Sequence, residues 1–445
     1  MSHDTATTIA AMQTSPTGGA KKKIAYLMSR FPKVSETFIL YEILELERLG
    51  MQVEIFPLVR EPAPVMHAEA HALVERAHYS KVLTPDVLQA QRYWLRRQPA
   101  AYLQAWAQAI RGNAGSPKSL SRALVVVPQA ALFAKRMVEL GVTHLHAHWA
   151  THPALAAYVV SLLTGLPYSF TAHADDIYVE RPMLKEKIRR AHFVITISEY
   201  NKRFLSELYG EAIGNKIAVV HCGVDSAIFT PRVHTPSTNL FTIACVARLE
   251  EKKGHIYLVD ACGQLKAQGV SFQCILVGEG EERSRIEAQI KRLGLEDTVI
   301  LLGQQPRSRV SELLAQADVM VLPSVTTAKG RQEGIPVALM EALATEVPVI
   351  STASSGIPEL IEDGLTGLLV PERDICSLAM ALARLQANPE LGRKLGTAGR
   401  IKVQREFDLQ RNTAILHRMF TSDWNAIHHT LAQPALYFPD ASLNT

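Results

Sequence analysis

The sequence predicts an α/β protein made of two doubly wound domains that face a cleft. Three observations carry this. The chain has 445 residues, too many for one ordinary core and enough for two. Short apolar runs alternate with amphipathic helical stretches, the pattern of parallel sheets covered by helices on both faces. This alternation occurs twice, on either side of a stretch bearing Pro, Thr and Ser, Thr230 to Asn239.

Residues 1–20 are small and polar and read as a disordered tail; they lack the apolar run of a signal peptide. The first domain is expected over 21–230. Its first strand is Lys23 to Met28, followed by a helix from about Glu36 to Leu49 with Ser35 as N-cap and Gly50 as stop. Val53 to Leu58 is the next strand. Further strands are expected at His144 to His146, Tyr168 to Thr171, Phe193 to Ile197 and Ile217 to Val220. Between about 60 and 140 the rhythm gives way to helical sequence bearing Arg92, Tyr93, Trp94, Arg96, Arg97, Tyr102, Trp106 and Arg111. It reads as an insertion. Such a segment either rests on an anionic membrane surface or packs its tryptophans inward beneath solvated arginines.

The second domain is expected over 240–407. Its strands are Phe241 to Ala247, Phe272 to Val277, Val299 to Leu302, Val319 to Leu322 and Val347 to Ser351. The segment 408–445 holds a last helix, about Leu409 to Trp424, and a polar tail.

Composition narrows the function classes. Apolar residues make up 47% and charged residues 20%, as in soluble globular proteins. A net charge of +4 gives little support for a nucleic-acid partner, and none is expected. The five cysteines (Cys222, Cys245, Cys262, Cys274 and Cys376) are odd in number and scattered. That pattern argues against a disulfide framework or structural zinc and fits a reducing cytoplasm. No apolar run is long enough to span a bilayer, so any membrane contact would be peripheral.

In open α/β sheets, ligands sit beyond the carboxyl ends of the strands, so the loops after strands are the places to look for chemistry. The segment Gly330 to Leu343 follows the strand ending near Leu322. Pro336 suits the first turn of a helix, and Ile335, Leu339, Ala342 and Leu343 would form its buried face. Glu333 lies in the loop before that helix. Glu341 lies about five residues inside it, roughly 7.5 Å further along the axis. That is too far for the nucleophile–acid pair of a retaining glycosidase, which stands about 5 Å apart. The carboxylates are placed instead to grip two ends of one extended ligand, with the N–H groups of the helix start meeting a phosphate between them. A nucleoside diphosphate sugar has that layout, and Gly334 and Ile335 join the donor-binding candidates. A capped surface helix with two solvated glutamates would give the same residues.

Arg248 and Lys253 follow the first strand of the second domain. Two cations there could neutralise a diphosphate, each contact contributing roughly 1.5–3 kcal/mol; a solvated charge run is the alternative. His173 follows a strand of the first domain and would face the cleft from the other side. An imidazole there could hydrogen-bond a reacting sugar or relay a proton. His146, His148 and the pair Asp175-Asp176 are metal-ligand types, but structural roles explain them more simply, and no metal is expected. Ser35, Glu36 and Thr37 open a helix that would suit an anion or an acceptor hydroxyl, although a plain N-cap explains Ser35 as fully. No GxGxxG fingerprint is present, and Gly278-Glu279-Gly280 is too short to mark a dinucleotide. No cofactor is expected.

Taken together, these segments resemble the retaining glycosyltransferases of the GT-B fold, and most closely family 4, also called group 1. Glu333 and Glu341, separated by seven residues and with Gly334 after the first, look like that family's hallmark. Arg248 and Lys253-Gly254 are similar to its diphosphate-binding segment. His221-Cys222-Gly223-Val224-Asp225 with Phe229, Gly356-Ile357-Pro358-Glu359 and Asp363-Gly364-Leu365-Thr366-Gly367 also match. The likeness spans roughly Lys23 to Phe420.

The resemblance implies two Rossmann-like domains, a C-terminal helix crossing back to the first, and a hexosyl donor linked to UDP or GDP. It implies Glu333 at the donor-sugar hydroxyls, Glu341 at the ribose, Arg248 and Lys253 at the diphosphate, and His173 near the anomeric carbon. Many members carry a Gly-Gly loop after the first strand; here the loop is Phe31-Pro32-Lys33-Val34-Ser35-Glu36-Thr37-Phe38. That variant is similar to the bacterial exopolysaccharide subgroup, which includes colanic acid and amylovoran transferases. It implies an acceptor oligosaccharide linked to undecaprenyl diphosphate, at the inner face of the cell membrane. With two cations and a helix start to stabilise the leaving diphosphate, no metal is needed. A nucleotide-sugar epimerase and a non-catalytic sugar-nucleotide-binding protein are the competing readings.

Overall fold

The computed structural model describes residues 22–33, 36–62, 66–82, 84–231 and 240–422. The expected tail 1–20, the N-cap candidate Ser35, most of the expected linker and Trp424 lie outside the described residues.

Two six-stranded parallel sheets form the frame. The first contains β1 (Lys23–Phe31), β2 (Gln52–Arg60), β3 (His144–His148), β4 (Tyr168–Ala172), β5 (Phe193–Thr196) and β6 (Ile217–Val219), in the order β2-β1-β3-β4-β5-β6. The second contains β7 (Phe241–Val246), β8 (Phe272–Val277), β9 (Val299–Gly303), β10 (Val319–Leu322), β11 (Val349–Thr352) and β12 (Leu368–Val370), in the order β12-β11-β10-β7-β8-β9. The strands are apolar runs because helices cover both faces; Ile24 to Met28 of β1 are all buried. Both orders reverse direction beside the first strand, between β1 and β3 and between β7 and β10. Crevices open at such switch points.

The helix Thr37–Arg48 buries Ile39, Leu40, Ile43 and Leu46 against the first sheet. It starts one residue later than expected, with Glu36 at the cap position and no side-chain cap bond. Gly50, at φ +89°, ends the turn after it as expected. The helical stretch after β2 divides in two. Pro117–Glu139 is the crossover into β3, with Val126, Val127, Ala130, Ala131, Phe133, Ala134 and Met137 in the core. Ala70–Arg76 seats Ala70 and Leu73 in the core beside Val53 and Ile55 of β2, and Pro85–Arg97 and Pro99–Asn113 pack on Pro117–Glu139. Trp94 is buried, its indole donating to the Ala131 carbonyl at 2.8 Å.

The last helix, Leu409–Thr421, returns to the first sheet. It seats Leu416, Met419 and Phe420 among Tyr26, Met28 and Phe193. The chain passes between domains at two adjacent points, where Val224 N donates to Phe407 O (2.8 Å) and Leu409 N to Val224 O (3.0 Å). A Cβ on Gly223 would strike the Leu409 backbone. The Gly-Val-Asp sequence is therefore the stitch between the two crossings.

Candidate functional site

The carboxyl ends of the two sheets face each other across a cleft of about 790 Å³. Every described candidate lines it: Glu36, Thr37, His173, Arg248, Lys253, Glu333, Gly334, Ile335 and Glu341. The first sheet contributes the loops after β1, β2, β3 and β4, with Ile197 after β5 and Cys222 after β6. The second contributes those after β7, β8, β9 and β10.

Glu333 and Glu341 are both buried. Glu333 lies in the loop before the helix Val337–Ala344, and Glu341 is the fifth residue of that helix. Pro336 occupies the cap position, and no side chain caps the helix start. Ile335, Leu339, Ala342 and Leu343 are buried as expected. Glu333 is ion-paired with Lys253, and Lys252 stands 3.4 Å from its other oxygen. Burial pushes the Glu341 carboxyl up to about 7, against the pull of Arg307. Burial, with Lys252 alongside, draws the Lys253 ammonium down to about 7. Arg248 is half-exposed and paired with Glu250 at 2.7 Å.

Opposite them, His173 is clamped between rings: Trp149 at 4.4 Å and Phe38 at 4.9 Å between centroids. Burial, with His148 beside it, holds the imidazole well below its ordinary range, so it is neutral. Gly334 touches this wall. A Cβ there would lie 2.7 Å from the tip of the Ile197 side chain and 3.3 Å from the His173 carbonyl oxygen, so the absence of a side chain lets the Glu333 loop lie close against it. Glu36 caps its helix without a side-chain bond and pairs with Lys33 at 2.5 Å. Thr37 is half-buried beside it.

The acids Asp175 and Asp176 part company. Asp176 is buried and accepts the N–H groups of Ala150 (2.7 Å), His173 (3.1 Å) and Ala174 (2.8 Å). Asp175 instead bridges the domains, taking Arg331 at 3.1 Å and Lys252 at 3.2 Å. The ring nitrogens of His146 meet the Ser169 and Thr171 hydroxyls. Glu42, His146 and His148 bring ligand-type atoms within 4.8 Å of one another; hydrogen bonds already engage all three.

Several cleft residues carry no sequence signal of their own. The Arg307 guanidinium stacks 3.8 Å over the Tyr41 ring, leaving Nε and Nη1 without hydrogen-bond partners. Trp149 holds a left-handed backbone, φ +80°, costly for a bulky side chain. Asp176 and the Lys187 ammonium, which donates to the Thr151 carbonyl at 3.2 Å, pin its loop.

The family model described as Glycosyltransferase Family 4 matches residues 35–227, and that described as Glycosyl transferases group 1 matches 229–402. The putative colanic acid biosynthesis glycosyltransferase WcaL of Escherichia coli (strain K12) is 32% identical over 410 residues, covering 87% of this chain and 97% of its own. The amylovoran biosynthesis glycosyltransferase AmsK of Erwinia amylovora is 29% identical over 401 residues, covering 87% and 96%. Among solved structures, Anabaena HepE in complex with UDP and glucose aligns with a TM-score of 0.68 at 17% identity, covering 89% of this chain and 99% of its own. Sucrose-phosphate synthase from Thermosynechococcus elongatus aligns with a TM-score of 0.67 at 20% identity, covering 91% and 100%. These two likenesses speak to the fold.

Proposed function

The chain belongs to the group 1, or family 4, glycosyltransferases, and on that premise we propose that it transfers a hexosyl unit from a nucleotide sugar to a growing, lipid-linked oligosaccharide of a bacterial exopolysaccharide. One observation carries the donor half. Two carboxylates, two cations and a neutral imidazole, drawn from both sheets, converge on one cleft large enough for a nucleoside diphosphate sugar. The WcaL and AmsK names supply the exopolysaccharide context.

In this reading the donor lies along the helix Val337–Ala344. Glu341 takes the ribose hydroxyls, Lys253 and Arg248 the diphosphate, and Glu333 the sugar hydroxyls. A diphosphate is already a competent leaving group. What it needs is stabilisation of the charge it gains, which two cations and an uncapped helix start supply without a metal. Attack comes from the face the diphosphate leaves, through an oxocarbenium-like transition state, with the departing phosphate oxygen taking the acceptor proton. Glu36 and Thr37, which line the cleft on the other side, contact the acceptor in this reading.

Arg248→Ala combined with Lys253→Ala should abolish transfer while the fold survives, followed as nucleoside diphosphate release. Full activity in that variant would sink the diphosphate assignment. A thermal-shift screen of UDP- and GDP-sugars identifies the donor, and mass spectrometry of products with lipid-linked acceptors identifies the transfer. The new linkage, seen by NMR, should keep the donor's anomeric configuration. An epimerase would turn over the donor without acceptor; nucleoside diphosphate release that requires acceptor rejects it.

The acceptor half draws on the helices beside the first sheet. Leu88, Leu95, Leu103 and Ile110 are exposed on Pro85–Arg97 and Pro99–Asn113, interspersed with exposed Arg92, Arg96, Arg97 and Arg111. Among the described residues no helix is long and apolar enough to cross a membrane. A mixed apolar and basic face suits surface contact with anionic lipid. Flotation with anionic liposomes should weaken when Arg92, Arg96 and Arg97 are reversed in charge; unchanged flotation would remove this contact.

A further inference from the structure

Behind the His173 ring runs a line of polar groups that the transfer chemistry above does not use. The Tyr26 hydroxyl on β1 donates to Glu42 Oε1 at 2.6 Å. The same oxygen lies 3.0 Å from His148 Nε2. On the other side of that ring, His148 Nδ1 lies 3.2 Å from His173 Nε2. His148 is 1% exposed and His173 4%, so water has little access to relieve a wrong pairing. Sequence separates these groups widely. They meet because β1, β3, β4 and the helix Thr37–Arg48 converge beside the switch point of the first sheet.

The direction of each hydrogen bond follows from its first member. An ionised carboxylate can only accept. His148 Nε2 therefore carries the hydrogen that meets Glu42, and the His148 tautomer with that single ring hydrogen has a bare Nδ1. His173 Nε2 must then donate to that nitrogen, which leaves His173 Nδ1 bare in turn. Nδ1 has no hydrogen-bond partner among the described residues, and it is not among the atoms sealed from solvent without one. His173 lines the cleft. The ring cannot turn away, because Trp149 and Phe38 clamp it.

We infer that Glu42 and His148 are positioning residues that hold His173 as its Nε2–H tautomer and present the Nδ1 lone pair to a hydroxyl of the donor sugar. The inference rests on the reading that places the sugar against His173. It deepens that reading by fixing the sense of the contact. The sugar group must donate, so the ligand at this point is an alcohol, not a carbonyl or carboxylate oxygen. A hydroxyl that donates has more negative charge on its oxygen, which favours a neighbouring carbon gaining positive charge. Charge on Glu42 is not itself required. A side-chain carbonyl in its place could accept the same two bonds.

The test is nitrogen NMR of the full chain carrying ¹⁵N-labelled histidine, with the His173 signals assigned by His173→Gln. The expected wild-type spectrum shows a pyrrole-type Nε2 and a pyridine-type Nδ1 for His173. Glu42→Gln should keep that pattern, whereas Glu42→Leu should mix or reverse it. In steady-state assays Glu42→Leu should lose roughly tenfold in kcat/KM for the donor, the worth of one hydrogen bond. Glu42→Gln should recover most of that loss, which a purely space-filling role for Glu42 does not predict. A wild-type His173 protonated on Nδ1 overturns the proposal, and so does an unaltered tautomer in Glu42→Leu. Stoichiometric metal in the purified chain, held by Glu42, His146 and His148, also overturns it. The wild-type spectrum decides the tautomer even if Glu42→Leu fails to fold. Full transfer by His173→Ala would instead overturn the sugar contact while leaving the tautomer result intact, so the two failures are told apart.

Discussion

At the scale of single residues, buried Glu341 and half-buried Lys253 set the pH behaviour. Lys253 has its pKa drawn down to about 7, so its ammonium is charged below that pH and increasingly neutral above it. The diphosphate contact proposed for Lys253 needs the charged form. Its affinity, measured by calorimetry, should therefore fall as pH rises from 7 to 9, and Lys253→Arg should flatten that fall because arginine stays charged. Glu341 is displaced the other way, up to about 7. In the unfolded chain its carboxyl ionises near 4.5; the folded chain keeps the proton until about 7, so stability drops across that interval as pH rises. Glu341→Gln escapes this drop. Urea unfolding should find it more stable than wild type at pH 8 by roughly 3 kcal/mol, with little difference at pH 4.5. Glu333, Glu341, Arg248, Lys253 and His173 could be picked out of the sequence because each follows a strand. Arg331 could not: its partner Asp175 lies 156 residues away. Arg307 and Glu42 were hidden for the same reason, since their meaning lies in what the fold sets beside them.

At the scale of elements, the sequence showed most strands to within a few residues because buried parallel strands are continuous apolar runs. The short β12, Leu368–Val370, was missed. The insertion was drawn too wide, because a crossover helix and a helical insertion share one periodicity. Motif glycines make sense only in three dimensions. Gly254 sits at φ +70° between Lys253 and the helix His255–Ala267, and a Cβ there would run into the Pro323 carbonyl. Gly254→Ala should cost about 2 kcal/mol or more in chemical denaturation, from backbone strain plus overlap. It should also weaken nucleotide binding by displacing Lys253.

At the scale of the whole molecule, the two sheets are held in register by contacts that sequence motifs mark without explaining. The Glu359 carboxylate caps the helix Glu199–Tyr209 of the other domain, accepting the N–H groups of Glu199 and Tyr200, each at 2.8 Å. Gly356 leaves room for Ser198 at the same junction. The C-terminal helix straps the first domain through Phe420, whose ring lies 5.1 Å from His146 and 5.5 Å from His144. Phe420→Ala should destabilise the first domain by roughly 3–5 kcal/mol, read as an earlier transition in urea. The central claim is that both carboxylates and both cations hold one donor in the cleft. A crystal structure of the full chain with a bound nucleoside diphosphate tests it most directly. The account predicts phosphates on Lys253 and Arg248 and the ribose hydroxyls on Glu341. A nucleotide bound outside the cleft, or inside it with the ribose beyond hydrogen-bond reach of Glu341, would contradict it.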